Sequence, residues 1–148
     1  DMTFEDMDIA EVRAYAELFV SVFNSPPWND RWTMLTAKLR LGELITTGTF
    51  VGKAAYDDGI LLGIILGQKE HFYDGVHFQI QEFCVRTEHQ QSGCGSRLLS
   101  ALKDELNAIG VVNIYLITQR GESTEGYYKR RGFTASDKMI VMSESLTK

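Results

Sequence analysis

The 148-residue chain has only two cysteines, Cys84 and Cys94, two prolines and three histidines. Two cysteines cannot build a disulfide framework or a zinc knuckle. His71, His77 and His89 stand at no ligand spacing to cysteine or carboxylate, so no metal is expected. Long apolar runs are missing as well. The longest, Ile60 to Leu66, is far short of the roughly 20 residues that cross a bilayer as a helix, so no membrane partner is expected. No basic-then-apolar leader opens the sequence, and the cysteine usage fits a reduced, cytoplasmic protein. Positive charge is scarce: 15 Lys and Arg against 20 Asp and Glu leave a net charge of −5. This speaks against a nucleic-acid binder held by phosphate neutralisation. It suits a cationic or amine-bearing partner, or simply charge kept for solubility.

What is present is a core. A hydrophobic content of 44% is too high for a disordered chain, and the length suits one domain over residues 1–148, without repeat or linker. Ile9, Val12, Tyr15, Ala16, Phe19, Val20 and Phe23 recur at helical spacing, and Asn24-Ser25-Pro26-Pro27 stops them. A second helix is predicted from about Arg31 to Leu41, ended by Gly42, with a further turn through Ile45. From Thr49 the period changes to that of strands. Phe50–Tyr56 and Gly59–Phe72 read as a hairpin turning at Asp57-Asp58-Gly59, followed by a strand from Val76 to Arg86. Alternation places Ile80, Glu82, Cys84 and Arg86 on one face of that strand, and Gln81, Phe83 and Val85 on the other. Leu98, Leu99, Leu102, Leu106 and Ile109 form the apolar face of a helix closed by Gly110. Val111–Thr118 reads as a buried strand, Ser123–Arg131 as a short helix ended by Gly132, and Phe133–Met142 as the closing strand or strands. The expected class is α+β, with a mixed, mostly antiparallel sheet flanked by helices.

The informative stretch lies between strand and helix: Gln90-Gln91-Ser92-Gly93-Cys94-Gly95-Ser96. Two glycines one residue apart let the backbone turn tightly and bring its N–H groups close to a ligand. The helix behind them adds its positive dipole end and its unpaired amides, for which a phosphate or pyrophosphate is the natural occupant. An ordinary tight turn accounts for two glycines equally well. Neither common nucleotide loop fits: the dinucleotide fingerprint would need glycine where Leu98 stands, and the chain's Gly52-Lys53 is followed by Ala54.

The pattern Gln90-x-x-Gly93-x-Gly95 after a strand, with Tyr127-Tyr128 leading to Gly132-Phe133 downstream, resembles the acetyl-CoA signature of the GNAT superfamily of N-acetyltransferases. The likeness is specific over residues 78–142; before that only the order of elements matches. It implies a GNAT-like fold that binds acetyl-CoA as cosubstrate. Main-chain groups of Phe83, Cys84 and Val85 would pair with the pantetheine arm, and the stretch Gln90, Gln91, Ser92, Gly93, Cys94, Gly95 and Ser96 would hold the pyrophosphate. Tyr128 would protonate the departing thiolate. Gly121 stands where members of the family often carry an asparagine, with Gln119 or Ser123 as substitutes.

The acceptor amine must lose a proton before it attacks, and Glu82 is the candidate base, directly or through a water; a solvent-facing strand carboxylate is the alternative. By the same resemblance, the connection carrying Trp28 and Asp30 would wall the acceptor pocket, with Tyr73 as a weaker contributor beside Glu43 and His77. The expected activity is transfer of acetyl from acetyl-CoA to a primary amine of a small molecule within a ternary complex. The alternatives are a peptide N-acetyltransferase and a non-catalytic acyl-CoA sensor. Monomer and homodimer are both compatible with the sequence.

Overall fold

The computed structural model describes residues 1–147, which form two compact units, residues 1–117 and 118–147. The first unit opens with a strand, β1 (Met2–Asp6), and not with a helix as the periodicity implied. Five residues with a half-exposed pattern are too few to interrupt the helical signal that follows, and β1 exists because β2 offers it an edge. After a single 3-10 turn, Ile9–Glu11, α1 runs Val12–Phe23 and buries Tyr15, Ala16, Leu18, Phe19 and Val22, each large apolar side chain contributing about 1.5–3 kcal/mol. Helix α2 spans Met34–Ile45. Its start is fixed by a reciprocal cap: Thr33 Oγ1 accepts from Thr36 N at 3.1 Å, and Thr36 Oγ1 accepts from Thr33 N at 2.9 Å. Gly42 lies inside this helix and does not end it; nothing stands where its Cβ would be, so the packing of Leu44 and Ile45 carries the helix through.

Strands β2 (Phe50–Asp57), β3 (Ile60–Phe72) and β4 (Gly75–Val85) follow. The β2–β3 turn uses Asp58 and Gly59 at φ 51° and 78°, the paired left-handed conformations a two-residue hairpin requires. Then come a second 3-10 turn (Thr87–His89), α3 (Cys94–Ala108), closed by Gly110 at φ 86°, and β5 (Val111–Leu116). The sheet order is β1-β2-β3-β4-β5, antiparallel throughout except for the parallel β4–β5 pair. Both faces are covered. Ala54, Ile64, Leu66 and Cys84 pack with α1 and α2, while a Cβ on Gly63 would meet Leu98 of α3 at 3.2 Å. β5 is an edge strand with Val112 at 60% exposure, not the buried strand that its β-branched run implied.

A bulge in the β3–β4 ladder corrects the alternation expected for β4. Leu66 pairs with Glu82 but Gly67 pairs with Ile80, so Gln81 is the extra residue. Because Leu66 and Gly67 point to opposite faces, so do Ile80 and Glu82: Ile80 lies on the α3 face, Glu82 and Cys84 on the α1–α2 face. Gly67 permits this, since a Cβ there would lie 1.8 Å from the Gln79 carbonyl oxygen.

The second unit carries α4 (Glu125–Lys129). The closing strand expected over Phe133–Met142 is not formed among the described residues; Met139–Met142 are 67–84% exposed, without a strand partner to satisfy them.

Candidate active site

The strand-to-helix turn takes the form that its glycines allow. Gln91 and Gly93 both adopt the left-handed region, at φ 69° and 87°, and α3 begins at Cys94. Gly93, the N-cap, offers no side chain to cap the helix, and the first intrahelical bond is Arg97 N to Gly93 O at 3.0 Å. The amides of Cys94, Gly95 and Ser96 therefore precede the helix's own ladder, at the positive end of a 15-residue dipole. This chemistry fits a pyrophosphate. Cys94 itself is fully buried and its thiol is pushed up by burial, which leaves it a packing residue. The Gln90 side chain ties the turn back to β4, its Nε2 donating to the Val85 carbonyl at 3.1 Å.

Along β4 the ladder decides which main-chain groups face where. Arg86 N donates to Leu62 O at 2.6 Å, and in an antiparallel ladder the residues two apart share that direction. Cys84 therefore spends its backbone on Ile64 of β3, against the expectation that it would face a ligand, whereas Phe83 and Val85 direct theirs to the opposite edge. The parallel pairing with β5 ends at Ile80–Leu116. From Gln81 onward that edge has no strand among the described residues, and the Val85 N–H faces it.

Glu82 sits beside this edge with its side chain 15% exposed. Arg40 of α2 donates from Nε to its Oε2 at 2.9 Å, and from Nη1 to Glu43 at 3.3 Å. Burial raises the Glu82 pKa above the ordinary glutamate value, Arg40 pulls it back, and the charge of Asp30 adds to the rise. Glu82 is thus not the solvent-facing carboxylate of the alternative reading. The connection before α2 is braced on α1: Trp28 stacks edge-on against Phe23 at 5.7 Å, Trp32 against Phe19 at 4.8 Å, and Asn24 bonds both the N–H and the carbonyl of Trp32 at 2.8 Å. Asp30 accepts from Trp32 Nε1 at 3.1 Å. Asp30, Arg40 and Glu82 thereby share one electrostatic neighbourhood. Tyr73 does not join them: it lies fully exposed at the β3–β4 tip, at the far end of β4 from Glu82. The sequence reading missed Arg40 and the bulged Gln81, whose Oε1 is buried without a hydrogen-bond partner. Arg40 stood between Ala37 and Leu41, Leu44 on the buried stripe of α2, a place where a charge signals a partner.

In the second unit the downstream motif explains itself as a helix stop. Gly132, at φ 95°, donates to Lys129 O at 3.2 Å, and Phe133 N donates to Tyr128 O at 3.0 Å, the paired bonds of a Schellman cap. The rings of Tyr128 and Phe133 meet at 5.5 Å, which fixes the half-buried Tyr128. Thr124 takes the loop before it, donating to Gln119 O at 2.7 Å.

The family model for the acetyltransferase (GNAT) family matches residues 13–133. No curated protein matches the chain at the sequence level. Among solved structures, an aminoglycoside acetyltransferase from an uncultured soil metagenomic sample, in complex with sisomicin, aligns with a TM-score of 0.77 at 16% identity, over 99% of this chain and 97% of that one. The ribosomal-protein-alanine N-acetyltransferase of Brucella melitensis biovar Abortus 2308 aligns at 0.78 and 16%, over 98% and 100%. AAC(6')-Iy in complex with a CoA-S-monomethyl-acetylneamine bisubstrate analog aligns at 0.75 and 16%, over 98% and 99%. At these identities the likeness is one of fold.

Proposed function

The chain belongs to the acetyltransferase (GNAT) family, and from that premise we propose that it is a single-domain enzyme moving acetyl from acetyl-CoA to a primary amine of a small molecule within one ternary complex. The observation that carries the reading is the junction of β4 and α3: main-chain N–H groups bared at a left-handed glycine, next to a strand edge that its neighbour has left. The amides of Cys94 to Ser96 hold the pyrophosphate, and the main chain of Phe83 with the Val85 N–H lines the pantetheine arm. When bound, acetyl-CoA supplies the acetyl group as a thioester. The Val85 N–H polarises the acyl carbonyl, an oxyanion-type contact worth roughly 3 kcal/mol. Glu82 takes the proton from the acceptor ammonium, and the Tyr128 phenol gives one to the leaving sulfur.

Support for a small cationic acceptor comes from the carboxylates of Asp30 and Glu82, close enough for one charge to act on the other, and from Trp28 braced on Phe23. Of the three solved structures named above, one is an aminoglycoside acetyltransferase with sisomicin, one holds a CoA-S-monomethyl-acetylneamine bisubstrate analog, and the third is a ribosomal-protein-alanine N-acetyltransferase. The test is a panel of aminoglycosides, polyamines, amino acids and short peptides, each offered with acetyl-CoA while free thiol and product mass are followed. Amine-dependent CoA release with acetylated aminoglycoside or polyamine is expected. Acetylation of peptides alone would move the reading to a protein acetyltransferase, and binding without release would move it to a sensor.

A further inference from the structure

The proposed acid-base chemistry leaves one charge at the site without a task. We propose that Arg40 is the positioning residue for Glu82: from α2 its guanidinium holds the buried carboxylate ionised and fixes Oε2, leaving Oε1 to face the incoming amine. This rests on the reading of Glu82 as the group that takes the amine's proton.

The geometry is specific. Arg40 Nε reaches Oε2 at 2.9 Å across 42 residues of sequence, and among the described residues only that oxygen of Glu82 is engaged. The other arm of the fork is tethered by Glu43, which is 66% exposed, so the guanidinium spans from solvent to the bulged stretch of β4. Glu82 shares the α1–α2 face with Cys84 two residues on, and the bulge at Gln81 is what sends Ile80, and not a second polar group, to the α3 face. The other charged or titratable groups around Glu82 cannot replace Arg40. Asp30, from the connection before α2, opposes ionisation. Cys84, on the same strand, stays a neutral thiol because burial raises its pKa. Arg86, further along, spends its guanidinium on the Leu61 carbonyl at 2.8 and 3.1 Å. β3 presents Leu66, which carries no charge. A planar, permanently charged fork also offers separate N–H groups in a fixed geometry, so that one arm orients Glu82 while another is tethered by Glu43.

The test titrates Glu82 directly. Carboxyl chemical shifts of 13C-labelled full-length protein, assigned with Glu82→Gln, give its midpoint in wild type, Arg40→Gln and Arg40→Lys, beside the acid limb of kcat/KM for an accepted amine. In Arg40→Gln the midpoint and the acid limb rise together by about one unit or more, while KM for acetyl-CoA stays within about twofold. In Arg40→Lys the midpoint returns to within about half a unit of wild type, but kcat falls about threefold or more because an ammonium lacks the fork. A folded Arg40→Gln with an unmoved midpoint overturns the proposal, as does a moved midpoint with an unmoved acid limb. Should Arg40→Gln not fold, wild-type kcat in Arg40→Lys overturns it. Wild-type turnover by Glu82→Gln would instead remove the base assignment on which the proposal rests, a result distinct from an unmoved midpoint.

Discussion

On the proposed reading, a single hydroxyl separates an enzyme from a binding module. Tyr128 is held by the Schellman cap that ends α4, its ring against Phe133 and its carbonyl accepting from Phe133 N. Those contacts involve ring and backbone, not the phenolic oxygen, so Tyr128→Phe keeps the cap. We expect kcat to fall about 10²-fold while KM for acetyl-CoA stays within about twofold, because the proton donor to the leaving group is lost. Steady-state kinetics and a thermal melt on the same preparation check this, and undiminished turnover refutes the acid role. The residues that sequence alone could offer at this scale were those whose identity is itself the message: glycines at Gly93 and Gly132, tyrosine at Tyr128. Arg40 was not legible, because its meaning depends on a carboxylate 42 residues away on another element.

At the scale of elements, two glycines carry opposite burdens. Gly93 has open space where a Cβ would stand, so only its φ of 87° demands glycine. Gly93→Ala should cost about 1–2 kcal/mol in stability and raise KM for acetyl-CoA roughly tenfold, with kcat nearly kept, since strain there moves amides and not acid-base groups; calorimetry of acetyl-CoA binding reads the loss. Gly67 is constrained by space instead. A Cβ 1.8 Å from the Gln79 carbonyl oxygen must break the bulge, and Gly67→Ala is expected to cost more than about 4 kcal/mol or prevent folding, as chemical denaturation will show. The long elements, α1, α3 and the β2–β3 hairpin, were readable because period and turn residues agree with their burial. β1 and the edge status of β5 were not, because partnership in a sheet is a non-local property that five- and six-residue segments do not encode. The Phe133–Met142 run has strand-forming residues but no ladder among the described residues, which shows the same limit from the other side.

For the whole molecule, stability against pH follows from which ion pairs join elements. Lys53 on β2 bonds Asp6 of β1 at 2.5 Å and pairs with Glu105 of α3, knitting an edge strand and a helix to the sheet. Burial lowers its pKa, but the hydrogen bonds to Asp6 and Glu105 outweigh that and leave it raised. A lysine raised in the folded state contributes fully below its unfolded value of about 10.4, and that contribution is lost as pH climbs through the higher folded value. Melting temperatures between about pH 8 and 12 should therefore fall in wild type, and less steeply in Lys53→Met; identical slopes would contradict it. The central claim concerns one place on the molecule, and an amide-resolved titration with CoA reads that place directly. Residue-by-residue 15N–1H spectra should show the largest shifts at Cys94, Gly95 and Ser96 and at Phe83 and Val85. Saturating CoA that leaves these amides unmoved, or that moves a different surface, would contradict the account.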